Sequence, residues 1–446
     1  MINRWIVVVG AIAIQLALGA IYAWSLFTRR LTAADGPYGF SAAQTQWVFS
    51  AGLATFALVM LFAGKWQAKV GPRKVAAIGG LVLGVGYILG GLLGKTFWPQ
   101  FICIGLIGGA GIGLAYVVPI AVGVKWFPDK KGLITGLAVA GFGFGATIWV
   151  KLGDSWIWQG GLLARSEGFL GLPGVQAVFL IYGLAFLALV LLGSLVMINP
   201  PAGWKPPGWN PGQTSNPASS AAADLVPNEM ARTPQYWSLL LMFTGSAMAG
   251  LMVIGCIKLF GIDALQANKG MDAAKAGQVA STAMALYAIF NGLGRILWGM
   301  ISDTVGRKLA LFLLCVAQGV MMLLFFGIGG TQAGLIVGAC IIGFNFGGNF
   351  ALFPAATADF FGNKNVGSNY PWVFLAYGIA GIAGPQVAGH FKDAAAISGA
   401  GVDAWKIPFI IAGVACLAAA VLALTLKPVG KKPAVVDRAE PAAAPA

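Results

Sequence analysis

Apolar residues run along this chain in long blocks, not at the short periods of a soluble fold. Twelve blocks stand out, at 5–27, 47–66, 75–94, 98–124, 133–152, 174–197, 236–261, 276–300, 308–328, 333–357, 369–391 and 406–427. A helix that crosses a bilayer needs about 20 apolar residues, so each block is predicted to be one membrane-spanning helix. Regular alternation of apolar and polar residues is absent, which argues against a membrane β-barrel. Hydrocarbon cannot satisfy backbone polar groups, so helices are the remaining solution. The predicted fold is an all-α membrane protein of twelve transmembrane helices. The first block is too long for a secretory signal and eleven more follow it, so it is expected to be retained.

The longest polar gap, 199–235, is rich in Pro, Gly, Ser and Asn. It predicts a linker between an N-terminal six-helix bundle (1–198) and a C-terminal one (236–428). Residues 429–446 end in an Ala/Pro run and are expected to form a disordered tail. The two halves echo each other. The hairpin Gly64-Lys-Trp-Gln-Ala-Lys-Val-Gly-Pro-Arg73-Lys74 returns as Gly299-Met-Ile-Ser-Asp303-Thr-Val-Gly306-Arg307-Lys308, with Gly64 in register with Gly299 and Gly71 with Gly306. A second pair, Trp126–Gly132 against Phe360–Gly367, matches more loosely. Internal repeats with a substrate site at their interface are the usual plan of secondary transporters.

Composition agrees: 58% of residues are hydrophobic and only 9% charged, against about 25% charged in soluble domains. The 65 glycines would weaken soluble helices but allow close helix contact in a membrane bundle. Of the loop cations, 17 fall on the side of the N terminus and 9 on the other, which predicts both termini in the cytoplasm. The net charge of +14 is then mostly a topology signal with some attraction to anionic lipid, and a nucleic-acid partner has nothing else to support it. Cys103, Cys256, Cys315, Cys340 and Cys416 all lie inside apolar blocks and form no CxxC pair, so they read as packing residues.

Two of the 28 basic residues, Lys258 and Arg295, fall within the spans, whereas all 14 acids fall in loops or at span ends. Charges in hydrocarbon are costly and face a cavity or a partner. With no buried acid expected, the natural partner is an anionic ligand. Tyr287, Asn291 and Arg295 are spaced by four and share a helix face. A guanidinium matches a carboxylate in two-pronged fashion. For Lys258, five residues before Asp263, snorkelling or an ion pair competes with ligand binding. Gln15 and Tyr22 on the first span, Tyr116 on the fourth, Asn345 and Asn349 on the tenth, and Tyr377 on the eleventh could complete an aromatic, polar cage.

Other chemistries find little footing. The glycine strings Gly108–Gly113 and Gly141–Gly145 lack the strand and the later acid of a dinucleotide site. There is no Walker lysine motif, and the single histidine, His390, cannot build a metal site or a triad. An enzyme and a cofactor are therefore not expected. A carboxylate-sensing membrane protein would share the site but should carry a signalling domain.

The Gly-x-x-x-Asp-x-x-Gly-Arg-Lys pattern of Gly299, Asp303, Gly306, Arg307 and Lys308 resembles the motif of the major facilitator superfamily, and the likeness extends over essentially the whole chain. It implies two pseudo-symmetric six-helix bundles, with Asp303 and the basic residues as a charge latch. The first copy has Ala68 in place of the acid. Ala17–Phe27, Lys125–Leu133, Arg232–Trp237 and Asn345–Pro354 are similar to the oxalate/formate antiporter family, whose members exchange oxalate and formate or carry lactate and pyruvate. The resemblance implies that Arg295 holds the substrate carboxylate and that Tyr22, Tyr116, Phe346, Phe350 and Phe374 line the site. Tyr377 stands where the oxalate exchanger has a second cation, a lysine. One arginine would leave half of a dianion unpaired. The stretch Val253–Lys258 resembles the pyruvate-type members. The expected function is alternating-access transport of a monocarboxylate such as pyruvate, lactate or formate across a bacterial inner membrane, by a monomer, with protons or a counter-anion as co-substrate. A dicarboxylate exchanger is the alternative.

Overall fold

The computed structural model describes residues 3–127, 131–154, 161–201, 204–206, 224–362 and 365–427. Among these residues all regular structure is helical. Eleven helices are long and apolar enough to cross a membrane: Arg4–Leu31, Ala42–Val70, Pro72–Leu93, Phe97–Gly123, Gly174–Ser194, Pro234–Lys269, Ala273–Val305, Arg307–Ile328, Gln332–Phe361, Ser368–Ser398 and Gly401–Thr425. Helix Lys131–Asp154 takes the place of the fifth apolar block. The spans are numbered one to twelve in chain order below. The end of the bundle carrying residues 4 and 425 is called the terminal end, and the opposite one the far end.

Local chemistry explains several boundaries. The seventh and eighth spans run past their apolar blocks at the far end. There Asp272 caps the eighth, its Oδ1 accepting from the amides of Ala274 and Lys275 at 3.0 and 2.9 Å. Gly270 ends the seventh in the left-handed region (φ 58°). Ser41 and Gln44 form a reciprocal capping box that starts the second. The internal repeat is written into the backbone. Gly71 and Gly306, at equivalent places between spans two and three and spans eight and nine, have φ 91° and 85°. A side chain there would strain the backbone.

Two spans are irregular. The first breaks into a 3-10 turn at Gly19–Ala23, which carries Tyr22. The fourth, after one α-helical turn at Phe97–Gln100, runs as a π-helical stretch over Phe101–Gly108. Both are frequent near functional sites. Large apolar side chains such as Phe62, Leu184, Leu192 and Val421 stay exposed on outward faces. Water would penalise that surface, and lipid does not. The halves meet where the second span packs on the eleventh and the fifth on the eighth, with the seventh against the end of the first.

Most of the 199–235 gap, namely 202–203 and 207–223, lies outside the described residues, as do the 429–446 tail and the middle of the second repeated hairpin (128–130 and 363–364). The last stretch of the gap is folded. Helix Pro227–Met230 follows Leu225, whose amide donates to Phe361 O at 3.0 Å. The side chains of Asn365 and Asn369 donate to Leu225 O at 3.1 and 2.9 Å. The five cysteines are free and buried.

Candidate functional site

The eighth span brings Asn291 and Arg295 to the middle of the bundle, one helical turn apart. Arg295 is 3% exposed. Its Nε donates to Asn291 Oδ1 at 3.0 Å, and its Nη1 donates across the interface to Val139 O on the fifth span, also at 3.0 Å. Its Nη2 is buried and makes no hydrogen bond, as is true of Asn291 Nδ2. No acid forms an ion pair with this guanidinium among the described residues. A buried cation with an unused donor is costly unless a ligand supplies the acceptor.

Aromatic rings close over it from both halves. The Phe350 ring lies 4.0 Å and the Phe142 ring 5.8 Å from Arg295 Cζ. Tyr22 packs edge-on to Phe142 at 5.0 Å and leans on Phe346 at 5.8 Å. Tyr116 meets Phe142 at 5.4 Å and Phe374 at 6.1 Å. Phe374 stacks on Tyr377 at 4.9 Å. Tyr377 and Tyr22 share a hydrogen bond between hydroxyls at 3.0 Å, across the two halves. Tyr22, Tyr116, Phe346, Phe350, Phe374, Tyr377, Asn291 and Arg295, the residues read from the sequence, thus converge on one box, and all are buried.

Close backbone approach makes the convergence possible. A Cβ on Gly347 of the tenth span would sit 2.0 Å from Asn291 O, and one on Gly143 of the fifth would sit 2.8 Å from Asn291 Oδ1. Around the box, polar side chains are tied to the helices by one atom each, while Gln15 Oε1, Asn345 Nδ2 and Asn349 Nδ2 stay buried without a partner. Tyr287 donates to Gly250 O at 3.1 Å and Gln15 to Tyr116 O at 3.1 Å. Asn345 accepts from Trp298 at 3.3 Å and Asn349 from Ser246 at 2.8 Å. They hold the packing.

Phe56 and Phe142 join the box without a local sequence pattern that marks them. Phe56 lies 4.9 Å from Tyr116, 5.4 Å from Phe374 and 5.6 Å from Tyr377. The signal was in the repeat: the register that sets Gly64 against Gly299 also sets Phe56 against Asn291 and Phe142 against Tyr377.

Lys258 is elsewhere. Its Nζ is 2.7 Å from Asp154 Oδ2 and donates to Ser281 Oγ at 2.6 Å, and Ser281 also donates to Asp154 Oδ2. The expectation that no carboxylate reaches an interior cation is therefore corrected for Lys258. Asp154 is the last residue of the fifth helix, and only the packing of the two halves turns it toward the seventh span. Asp263, the nearer acid in sequence, is taken by Lys392 at 2.6 Å. His390 is exposed.

The charge latch forms at the terminal end of the second half. Arg307 bridges Asp303 at 2.7 Å and Asp359 at 2.9 Å, and its guanidinium also donates to Ser302. Lys308 joins no ion pair there among the described residues. In the same register of the repeat, Ala68 and Val124 stand at the places of the two acids, so the first half lacks both.

Cross-half hydrogen bonds extend from this box to the far end. Asp393 accepts from the amides of Ala42 and Ala43 at 2.7 and 2.8 Å. Arg29 donates to Ala273 O at 3.1 Å, Gln46 to Gly255 O at 3.1 Å and Thr147 to Ala285 O at 2.9 Å. The halves are closed at the far end.

Two six-helix bundles packed around a buried arginine and a box of aromatic rings at their interface follow the plan of a membrane carrier. The chain belongs to the Major Facilitator Superfamily, whose family model matches residues 2–385 and 263–445. It is 31% identical over 385 residues, 85% of this chain and 86% of the relative, to the uncharacterized MFS-type transporter YhjX of Escherichia coli (strain K12). It is 27% identical to the oxalate:formate antiporter of Oxalobacter formigenes, covering 86% of this chain and 83% of that one. Apicoplast pyruvate carrier 1 of Toxoplasma gondii is 24% identical, over 83% and 81% of the two chains. The fold matches the nucleoside transporter NupG with a TM-score of 0.66 at 14% identity, over 94% of this chain and 99% of that one. A bacterial homologue of the lysosomal transporter Spinster, in an inward-facing conformation, gives 0.63 at 17% identity, over 95% of each.

Proposed function

We propose that this transporter moves a small carboxylate anion by alternating access, with Arg295 as the residue that holds the carboxylate. The observation that carries the reading is the Arg295 guanidinium, buried, without an acid, and with Nη2 unused. Asn291 fixes its orientation through Nε, and the rings of Phe350, Phe142 and Tyr22 exclude water. An anion seated there neutralises the site, so the loaded carrier closes more readily than an empty one. Val139 O, which holds Nη1 from the other half, is an acceptor that an arriving carboxylate can replace.

The favoured cargo is a monocarboxylate such as pyruvate, lactate or formate. The box has one cation, and Tyr377 spends its hydroxyl on Tyr22. An oxalate-type dianion would leave one carboxylate against rings. The likeness to an oxalate:formate antiporter keeps exchange of the two as the second reading. The terminal end is assigned to the cytoplasm on the distribution of loop cations, which makes the far end external. Residues 1–198 and 236–428 are the two moving bodies, with the segment between them as their linker.

The test is uptake of radiolabelled pyruvate, lactate, formate and oxalate into proteoliposomes holding the purified protein or its Arg295→Ala variant. Loss of carboxylate uptake with folding retained is expected. Normal uptake by the variant would overturn the assignment.

A further inference from the structure

The second buried cation has a use that the central box does not explain. Lys258 is 5% exposed, and its ammonium is satisfied by Asp154 and Ser281. Asp154 belongs to the first half, whereas Lys258 and Ser281 belong to the second. Any separation of the halves at the far end breaks the 2.7 Å contact and strands the ammonium. Apart from the exposed Asp35 and Asp403, the described far-end acids are engaged elsewhere. Asp263 is held by Lys392 and Trp405, Asp272 caps its own helix, Asp393 caps the second span, and Glu167 is paired with Arg30. The remaining neighbours are cationic: Arg29 and Arg30 both bear on Lys258 with like charge. Lys151 is engaged with Thr282 at 3.4 Å. A counterion must therefore come from solution.

We propose that Lys258 and Ser281 form a second carboxylate station at the far end, which Asp154 occupies as a tethered stand-in while the halves are shut there. The idea rests on the carboxylate reading above and extends it. The transported anion replaces Asp154 when the far end opens, and it is handed on to Arg295 when Asp154 returns. Ser281 and Arg295 lie on the same helix fourteen residues apart, so the stations are separated by about 21 Å along it. Asp393, held on the amides of Ala42 and Ala43, shuts the opposite edge of the same opening and touches no cation of the station.

The experiment compares Asp154→Asn with the double variant Asp154→Asn/Lys258→Met in oriented membrane vesicles, right-side-out and inside-out. Radiolabelled pyruvate and, in parallel, oxalate are the probes. Both variants lose the ionic latch, so its effect on the balance of states is common to them, and only the double variant loses the station. Asp154→Asn should lower KM at the far-end face about threefold or more, because a tethered competitor has gone. The double variant should raise it about tenfold or more above that of Asp154→Asn, with KM at the terminal face within about twofold between the two. Equal far-end KM values in the two variants would overturn the station, as would a raised KM in Asp154→Asn. If the double variant does not fold, the direction of the Asp154→Asn change alone decides. Failure of the carboxylate reading looks different: Arg295→Ala would then retain uptake from both faces, whatever Lys258 does.

Discussion

Among the described residues, two cations are buried in the spans, and they are treated in opposite ways. Lys258 has a carboxylate of its own, delivered by the other half, and a serine that binds both partners. Arg295 has no acid, a backbone carbonyl from the other half, and an unused donor. A cation with a built-in counterion closes an interface, and a cation without one is completed by something that comes and goes. The difference explains why the far end is tied by charge while the centre is lined with rings.

The sharpest way to break the contrast is at Arg295. Arg295→Ala should reduce carboxylate affinity by roughly 3 kcal/mol, about a hundredfold, read as lost saturation in uptake. Arg295→Lys should recover part of it, because the charge survives and the fork does not. Next in size is Gly347→Ala. Its Cβ would meet Asn291 O at 2.0 Å, so the tenth span must shift off the eighth, at a cost of about 1–3 kcal/mol. Thermal unfolding should report it, and uptake should fall with it. Tyr377→Lys would give the box a second cation where Tyr22 now shares a hydroxyl bond. The ratio of oxalate to pyruvate uptake should rise roughly tenfold. Phe142→Ala removes a ring that faces the guanidinium at 5.8 Å, farther than Phe350 at 4.0 Å. It should weaken binding by about 1 kcal/mol. The smallest effect belongs to Asp303→Asn, since Asp303 is 67% exposed beside Arg307. Within about 1 kcal/mol, it should alter the transport rate and leave substrate KM unchanged.

Much of this could be read from the chain before any coordinate. The apolar blocks are long enough to announce helices one by one, and Arg295 with Asn291 is a local pattern on one helix face. The aromatic residues named from family likeness also arrive at the box. What escaped is what depends on two halves meeting. Asp154 looks like an ordinary helix-end acid until the fifth span packs on the eighth. Its partner lies 104 residues away in the chain. Phe56 and Phe142 are single phenylalanines among many, and only superposing the repeats marks them. The folded end of the linker was likewise hidden, because its partners Phe361, Asn365 and Asn369 belong to a distant hairpin.

Binding to the purified protein addresses the role of Arg295 without assuming a direction or a coupling ion. Thermal unfolding of the wild type and of Arg295→Ala should be followed against pyruvate, lactate, formate and oxalate at rising concentration. At least one of the monocarboxylates should stabilise the wild type saturably, and none should stabilise the variant. Equal stabilisation of both proteins by the same carboxylate would contradict the role given to Arg295.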